Sequence, residues 1–267
     1  VTPETNGEKD FPWWLLAAGG IGLYLGWRIW RDALYAQIFS AVAQGVEVTL
    51  FVTAVAFSSA CVIGLALAVM SLSRSLVLRQ VARFYIEVIR GIPILILLIY
   101  IAFVFTPALV VAANTVLDPL GFEPLRTRDI NFMWRAIIAL TIGYSAFIAE
   151  VFRAGIQSVD LGQIEAAEAL GLNRWQRFRL IVLPQAIRII LPPLGNDFIA
   201  MIKDSSLVSV LGVSDISQIG KVTAAGNFRY FETYNIVAYI YLFMTIGLSL
   251  ALRRLERRLR SRQMEES

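Results

Sequence analysis

The sequence predicts an all-α integral membrane protein, and three observations carry that expectation. The 267 residues are 57% hydrophobic with a mean hydropathy of +0.66 and only 16% charge. A water-soluble domain of this size carries roughly 25% charged residues. Residues 48–73, 91–117 and 233–252 contain no Asp, Glu, Lys or Arg, and a helix needs about 20 apolar residues to cross a bilayer. These runs are continuous, without the roughly ten-residue alternating segments of a membrane β-barrel.

Two further spans complete a set of five. Residues 134–153 are uncharged between Arg135 and Glu150, and residues 184–202 are interrupted by Arg188, Pro192, Pro193 and Asp197. Prolines and polar groups survive at membrane depth where neighbouring protein or a wet cavity satisfies the backbone. The fourth span therefore reads as one that lines something. Ahead of these lies residues 11–27, "FPWWLLAAGGIGLYLGW", about 25 Å of helix. It either spans or lies on the outer interface with Trp13, Trp14, Trp27 and Trp30 at headgroup level. A span is preferred, although it leaves Arg28 and Arg31 outside. It does not read as a signal peptide, because the residues before it are acidic and no small-residue cleavage site follows.

Lys and Arg placement orients the spans. Arg74, Arg79, Arg83 and Arg90 flank one connection. Arg153, Arg174, Arg177, Arg179 and Arg188 flank another, and Arg253, Arg254, Arg257, Arg258, Arg260 and Arg262 crowd the tail. With five spans these groups share a side. The opposite side holds Arg126, Arg128, Arg135, Lys203, Lys221 and Arg229. The richer side is expected to be cytoplasmic. The net charge of +4 is then topology plus a basic tail facing anionic membrane lipid, and nucleic acid is not invoked. The expected organisation is an extension over 1–40, a transmembrane domain over 41–255 and a basic cytoplasmic tail over 256–267.

Scarcity excludes several chemistries. The chain has no His and one Cys. That removes Ser-His-Asp catalysis, His-ligated zinc and an intramolecular disulfide, and Cys61 reads as a small packing residue. No GxxxxGK[ST] or GxGxxG stretch occurs, so the chain is not expected to bind a nucleotide or other cofactor. An integral membrane enzyme has no catalytic constellation here. An autonomous secondary transporter would lack an internal repeat and would leave the segment 160–184 without a purpose.

That segment contains "EAAEALGLNRWQRFRLIVLP" (165–184), charged and aromatic between two greasy spans. Asp160 with Gln163, and Asn173 with Gln176, are helix-start pairs. Gly171 suits the left-handed residue that ends a helix. The expected fold is a helix–Gly–helix hairpin in which Leu183-Pro184 turns the chain back into the membrane. Ala166, Ala167 and Ala169 make the first helix small-sided, with Glu165 and Glu168 at its rim and Leu172 past the glycine. An amphipathic pair lying on the inner leaflet is the plainer reading.

The spacing EAA, three residues, Gly171, nine residues, Ile181-x-Leu183-Pro184 resembles the coupling loop of ABC-transporter permeases. "YIEVIRGIPILI" (85–96), "GYSAFIAEVFRAGI" (143–156), "LGNDFIAMIKDSSLVSVLGVSDI" (194–216) and "VTLFVTAVAFSSACVIGLALA" (48–68) are similar to the polar amino-acid uptake permeases of bacteria. The likeness covers roughly residues 40–255. It implies a type I ABC importer permease with five core helices in the bacterial inner membrane. Its partners would be a second permease copy or paralogue, cytoplasmic ATPase subunits carrying ATP and Mg, and an external amino-acid-binding protein. A permease for another small solute of the same superfamily is the alternative.

Substrate contacts are sought among the intramembrane acids. Asp197 lacks a basic residue at i+3 or i+4, and an unpaired intramembrane acid is functional by default. Asp204 lies two turns further on the same face. Asn196, Asp197, Met201 and Asp204, with Glu150, are the expected contacts for a polar amino acid, a cationic one first. The alternative pairs Asp197 with Arg188, Lys203 or another helix. Glu150 is three residues from Arg153, so an intrahelical ion pair competes with a substrate role. By residue count Asp197 lies about 20 Å, and Glu150 about 5–6 Å, above the inner ends of their spans. The two are not expected to share one ligand.

Overall fold

The structure is a computed structural model and describes residues 13–265. Residues 11 and 12 of the first apolar stretch, the side chain of Trp14 and the tail side chains from 255 onward lie outside the described residues. The helices are α1 (Trp13–Arg31), α2 (Ala33–Ala43), α3 (Gly45–Ser71), α4 (Leu76–Arg90), α5 (Ile94–Tyr100), α6 (Thr106–Leu117), α7 (Phe132–Gln157), α8 (Leu161–Ala169), α9 (Arg174–Arg177), α10 (Leu183–Asp204), α11 (Ile216–Asn227) and α12 (Tyr230–Glu265). No strand occurs among the described residues.

Five helical stretches are long and apolar enough to cross a membrane: Ala33–Ser71, Ile94–Leu120, Phe132–Gln157, Arg174–Leu211 and Tyr230–Arg254. Each contains all or most of one expected span. Two boundaries differ. The first stretch begins well before residue 48, because α2 and α3 run on with a single turn residue at Gln44. The fourth begins at Arg174, because a π-turn at Phe178–Val182 joins α9 to α10 without a break. Pro184 therefore does not turn the chain. It occupies the first turn of α10, where a missing N–H is tolerated.

The bundle is organised around α7. Two thirds (67%) of its most apolar window is buried, against 17% for those of the fourth and fifth stretches. Ala136, Ala139, Leu140, Ile148 and Ala149 are almost fully buried on it. Small residues let α3 come close: a Cβ at Gly64 would stand 2.9 Å from Ile148 and 3.1 Å from the backbone of Ala149. Cys61 is half-buried against this core, as a packing residue would be. Leu, Phe and Val side chains cover much of the outside of the bundle, a surface that water would not tolerate and hydrocarbon does.

At the end opposite the 160–184 hairpin, Arg135 ties the bundle to its loop. A π-turn at Ile101–Phe105 interrupts the helix between α5 and α6. Such a turn leaves a carbonyl without its usual partner. Thr106 Oγ1 donates to the Ile101 carbonyl (2.7 Å) and Arg135 Nη1 to the Ala102 carbonyl (3.0 Å). Arg135 also donates to the carbonyls of Ile130 (2.8 Å) and Thr127, and its guanidinium lies over the Phe132 ring, 4.7 Å from the centroid. A residue expected only as an orienting surface charge is thus 6% exposed and structural.

The chain alternates through the five stretches, so the hairpin and Arg253 share one end and the 118–131 and 205–229 segments share the other. Single cysteines in a Cys61→Ala background test the assignment of ends. A cysteine at Glu168 should react with an impermeant thiol reagent only after the inner face is opened, and one at Glu123 should react in intact cells. Labelling of the Glu168 position from outside would reverse the topology.

Candidate functional site: a docking hairpin and an intramembrane acid cluster

The hairpin forms as its caps dictate. Asp160 Oδ1 accepts from the Gly162 N–H (2.7 Å) and starts α8. Gly171 closes it at φ +81°, a conformation that costs glycine nothing. Its N–H donates to the Glu168 carbonyl (2.9 Å), and the Leu172 N–H to the Ala167 carbonyl (3.1 Å). Asn173 and Gln176 then exchange backbone hydrogen bonds of 2.9 Å each in a capping box. Glu168 is ion-paired with Arg177 across the turn, and Gln163 accepts from Gln185 Nε2 (2.7 Å). Val159, Val182, Ala186 and Ile190 form a separate small core, with Phe178 and Ile181 packed on it, that roots the hairpin on α7 and α10.

This geometry sorts the expected coupling residues. Glu165, Ala166, Glu168 and Gly171 are exposed and Leu172 is half-buried. Ala167 is 4% exposed: it faces the hairpin's interior, where its small side chain lets α8 lie close. The face left for another surface carries Glu165, Ala166, Ala169 and a bare Leu170 at 82% exposure. Trp175, stacked on Phe178 at 6.0 Å, is also exposed. Its neighbour Phe178 and, one turn on, Ile181 are half-buried, so the face through Trp175, Phe178 and Ile181 turns inward as it nears α10.

The acids divide differently. Helices α7 and α10 run antiparallel. Gly155, near the end of α7, meets Ile190, and Tyr144 Oη, at the middle of α7, donates to Asp204 Oδ2 (2.7 Å) at the end of α10. Counted from the Gly155–Ile190 contact, Glu150 is five residues and Asp197 seven residues further into the bundle, about 7–8 and 10–11 Å. The depth separation expected from residue counts is therefore too large. It assumed that α10 enters the membrane at Pro184, whereas that helix already stands clear of α7's end and is continuous from Arg174. Glu150 is nonetheless engaged in an ion pair with Arg153, which also donates to Gln157 (2.7 Å).

Asp197 Oδ2 is buried and has no hydrogen-bond partner among the described residues. A buried carboxylate oxygen left unpaired costs about 1–3 kcal/mol or more, so this one is poised to take a donor. Its neighbour Phe198 meets Phe57 of α3 at 4.9 Å, and Asp204, two turns further along α10, meets Tyr144 of α7, so Asp197 stands where α3, α7 and α10 come together. Met201, one turn beyond Asp197, is fully buried in the main core, which also takes in Tyr144, Phe57 and Cys61. One expected contact turns away from the cluster. Asn196 lines a polar notch of about 260 Å³ with Ser249 and Arg253 on the side facing α12, because adjacent helical residues point about 100° apart.

Two residues not singled out from the sequence hold polar groups inside the bundle. Tyr144 holds Asp204; a tyrosine in an apolar span, with one polar tip to satisfy, was the available signal. Asp215 has no exposure and caps α11, accepting from Gln218 N (2.8 Å), Ser217 N (3.2 Å) and Tyr241 Oη (3.2 Å). Burial pushes its carboxyl above the usual aspartate range, and those hydrogen bonds pull it part of the way back. Nothing in its sequence setting distinguishes it from an exposed cap.

A helical bundle with five stretches able to cross a membrane, a hairpin projecting from one end and a polar cluster in mid-bundle fits a transport subunit. Comparison with known proteins agrees. Residues 60–264 match the family of binding-protein-dependent transport system inner membrane components. The glutamine transport system permease protein of Escherichia coli (strain K12) is 38% identical over 217 residues, 81% of this chain and 92% of that protein. The arginine transport system permease protein of Bacillus subtilis (strain 168) is 30% identical over 220 residues, 82% and 93% of the two chains. The crystal structure of an amino acid ABC transporter with histidines aligns with a TM-score of 0.69 at 38% identity, covering 84% of this chain and 95% of that one. An inward-facing methionine ABC transporter, at 24% identity and a TM-score of 0.65, shares the fold. The chain belongs to the binding-protein-dependent inner membrane component family, as a permease subunit of the amino-acid ABC importer type.

Proposed function

We propose that this chain forms the translocation pathway of an ATP-driven amino-acid uptake system in the bacterial inner membrane, with a polar and preferably cationic amino acid as its cargo. The reading is supported by the unpartnered buried oxygen of Asp197, beside the Tyr144–Asp204 pair. An ammonium or guanidinium supplies the donors this cluster lacks, and two carboxylates in low dielectric favour a positive group. Relatives described as glutamine and arginine permeases fit a polar amino acid. A second permease copy or paralogue would complete the pathway, and an external binding protein would deliver the substrate. Cytoplasmic ATPase subunits, holding ATP and Mg, would receive the exposed face of α8. Closure of those subunits would move the hairpin, and α10 with it, as one body, since α9 and α10 are continuous through the π-turn.

Uptake into proteoliposomes with the binding protein saturated tests the substrate role. Asp197→Asn removes one charge-assisted hydrogen bond, so uptake of arginine or lysine should fall about tenfold to a hundredfold while basal ATP hydrolysis holds. Glu150→Gln should change selectivity less, since its carboxylate already has Arg153. Unchanged uptake of every amino acid by Asp197→Asn would return that residue to a structural role.

A further inference from the structure

The matched family pattern begins at residue 60, so α1 lies outside it, yet α1 is packed on the bundle. Gly26 stands against Tyr239, with a Cβ there 3.4 Å from its hydroxyl. Towards the hairpin end the two helices part to leave an apolar groove of about 500 Å³. Gly19, Gly22 and Leu23 form one wall, and Phe243, Ile246 and Leu250 of α12 the other. The groove is open because its glycines leave it so: a Cβ at Gly19, Gly22 or Gly247 would meet nothing within 4 Å. From Tyr239 to Leu250 it follows α12 for about 16 Å at 1.5 Å per residue. One leaflet of hydrocarbon is about 15 Å thick, half of a roughly 30 Å core.

What stands at the mouth of the groove identifies its occupant. Arg253 and Arg254 are three and four residues beyond Leu250, the spacing that places side chains near one helix face, with Arg253 also bordering the notch beside Asn196 and Ser249. Both are exposed. Residues 233–255 of α12 contain no Asp or Glu, and the first acid beyond them, Glu256, is outnumbered by the arginines at 253, 254, 257, 258, 260 and 262. We propose that the α1–α12 groove binds an anionic phospholipid of the hairpin-side leaflet, an acyl chain lying along the glycines and the headgroup phosphate held by Arg253 and Arg254. A second protein helix would need the arginines to be neutralised at depth. A zwitterionic lipid would fill the groove but gain little from two guanidiniums. This gives α1 a purpose separate from transport chemistry: it supplies the second wall of a lipid seat against α12, the helix that also packs Leu252 on Gly195 of the substrate-cluster helix.

The test is lipid retention by the purified full-length chain in detergent, read by native mass spectrometry with phosphatidylglycerol and phosphatidylcholine of identical acyl chains. The wild-type chain should retain phosphatidylglycerol about tenfold better, since charge-assisted contacts set the difference. The double variant Arg253→Gln/Arg254→Gln should hold the two lipids about equally. Gly247→Trp, or Gly22→Trp on the opposite wall should the first not fold, fills the groove and should cut retention of both lipids about tenfold or more. Equal retention of the two lipids by the wild-type chain, or undiminished phosphatidylglycerol retention by a folded groove-filled variant, would overturn the assignment.

Discussion

Gly171→Pro should abolish substrate-stimulated ATP hydrolysis and uptake in an assembled transporter while leaving the spans folded. Three effects act together at this position. Proline holds φ near about −65°, and the chain here needs +81°. It lacks the N–H that Gly171 donates to the Glu168 carbonyl at 2.9 Å. It also disfavours the preceding residue's helical conformation, and that residue is Leu170, the bare apolar side chain at the end of α8. The turn cannot keep its shape, and α8 loses its fixed angle to α9. The spans are spared because the hairpin has its own small core. Glu165→Lys with Ala166→Trp attacks the same contact without touching the turn, reversing a charge and adding bulk on the exposed face. Helical content by circular dichroism separates misfolding from uncoupling. Normal substrate-stimulated hydrolysis by the assembled double variant would remove α8 from the coupling path.

Arg135→Ala should give the largest loss of stability of any single change at the far end. Three carbonyls, those of Ala102, Thr127 and Ile130, take their donors from this one side chain. Each buried acceptor left without a donor costs about 1–3 kcal/mol, so a total on the order of 3–5 kcal/mol is expected after local relaxation. The 118–131 loop should then become protease-sensitive before the bundle melts. Arg135→Lys should restore little, because an ammonium is a single point and cannot reach three acceptors with a planar fork. Thermal unfolding in detergent, with limited proteolysis, measures both effects. A loss under about 1 kcal/mol would mean that water replaces the guanidinium at these carbonyls.

The sequence by itself determined the membrane class, the five crossings, the caps of the hairpin and the glycine that ends α8. Each depends on local pattern: an uncharged run long enough for a bilayer, a capping acid beside its N–H groups, a residue able to take positive φ. It also marked Asp197 as an acid with no partner on its own helix, and the buried Oδ2 agrees. The end of the fourth span was not legible. Leu183-Pro184 reads as a turn by every local rule, but a π-turn just before it makes the proline's missing N–H tolerable, and α9 runs on into α10. That continuity in turn changed the heights at which Glu150 and Asp197 stand. Asn196 turned away from the acid cluster because only packing against α7 and α12 decides which face of α10 is the inner one. Arg135 shows the same limit from the other side. Its charge was read as topology, but its partners are carbonyls 5, 8 and 33 residues away in the chain. Only the folded bundle brings those acceptors within reach of one guanidinium, since the carbonyl of Ala102 needs a donor only once a π-turn has deprived it of one.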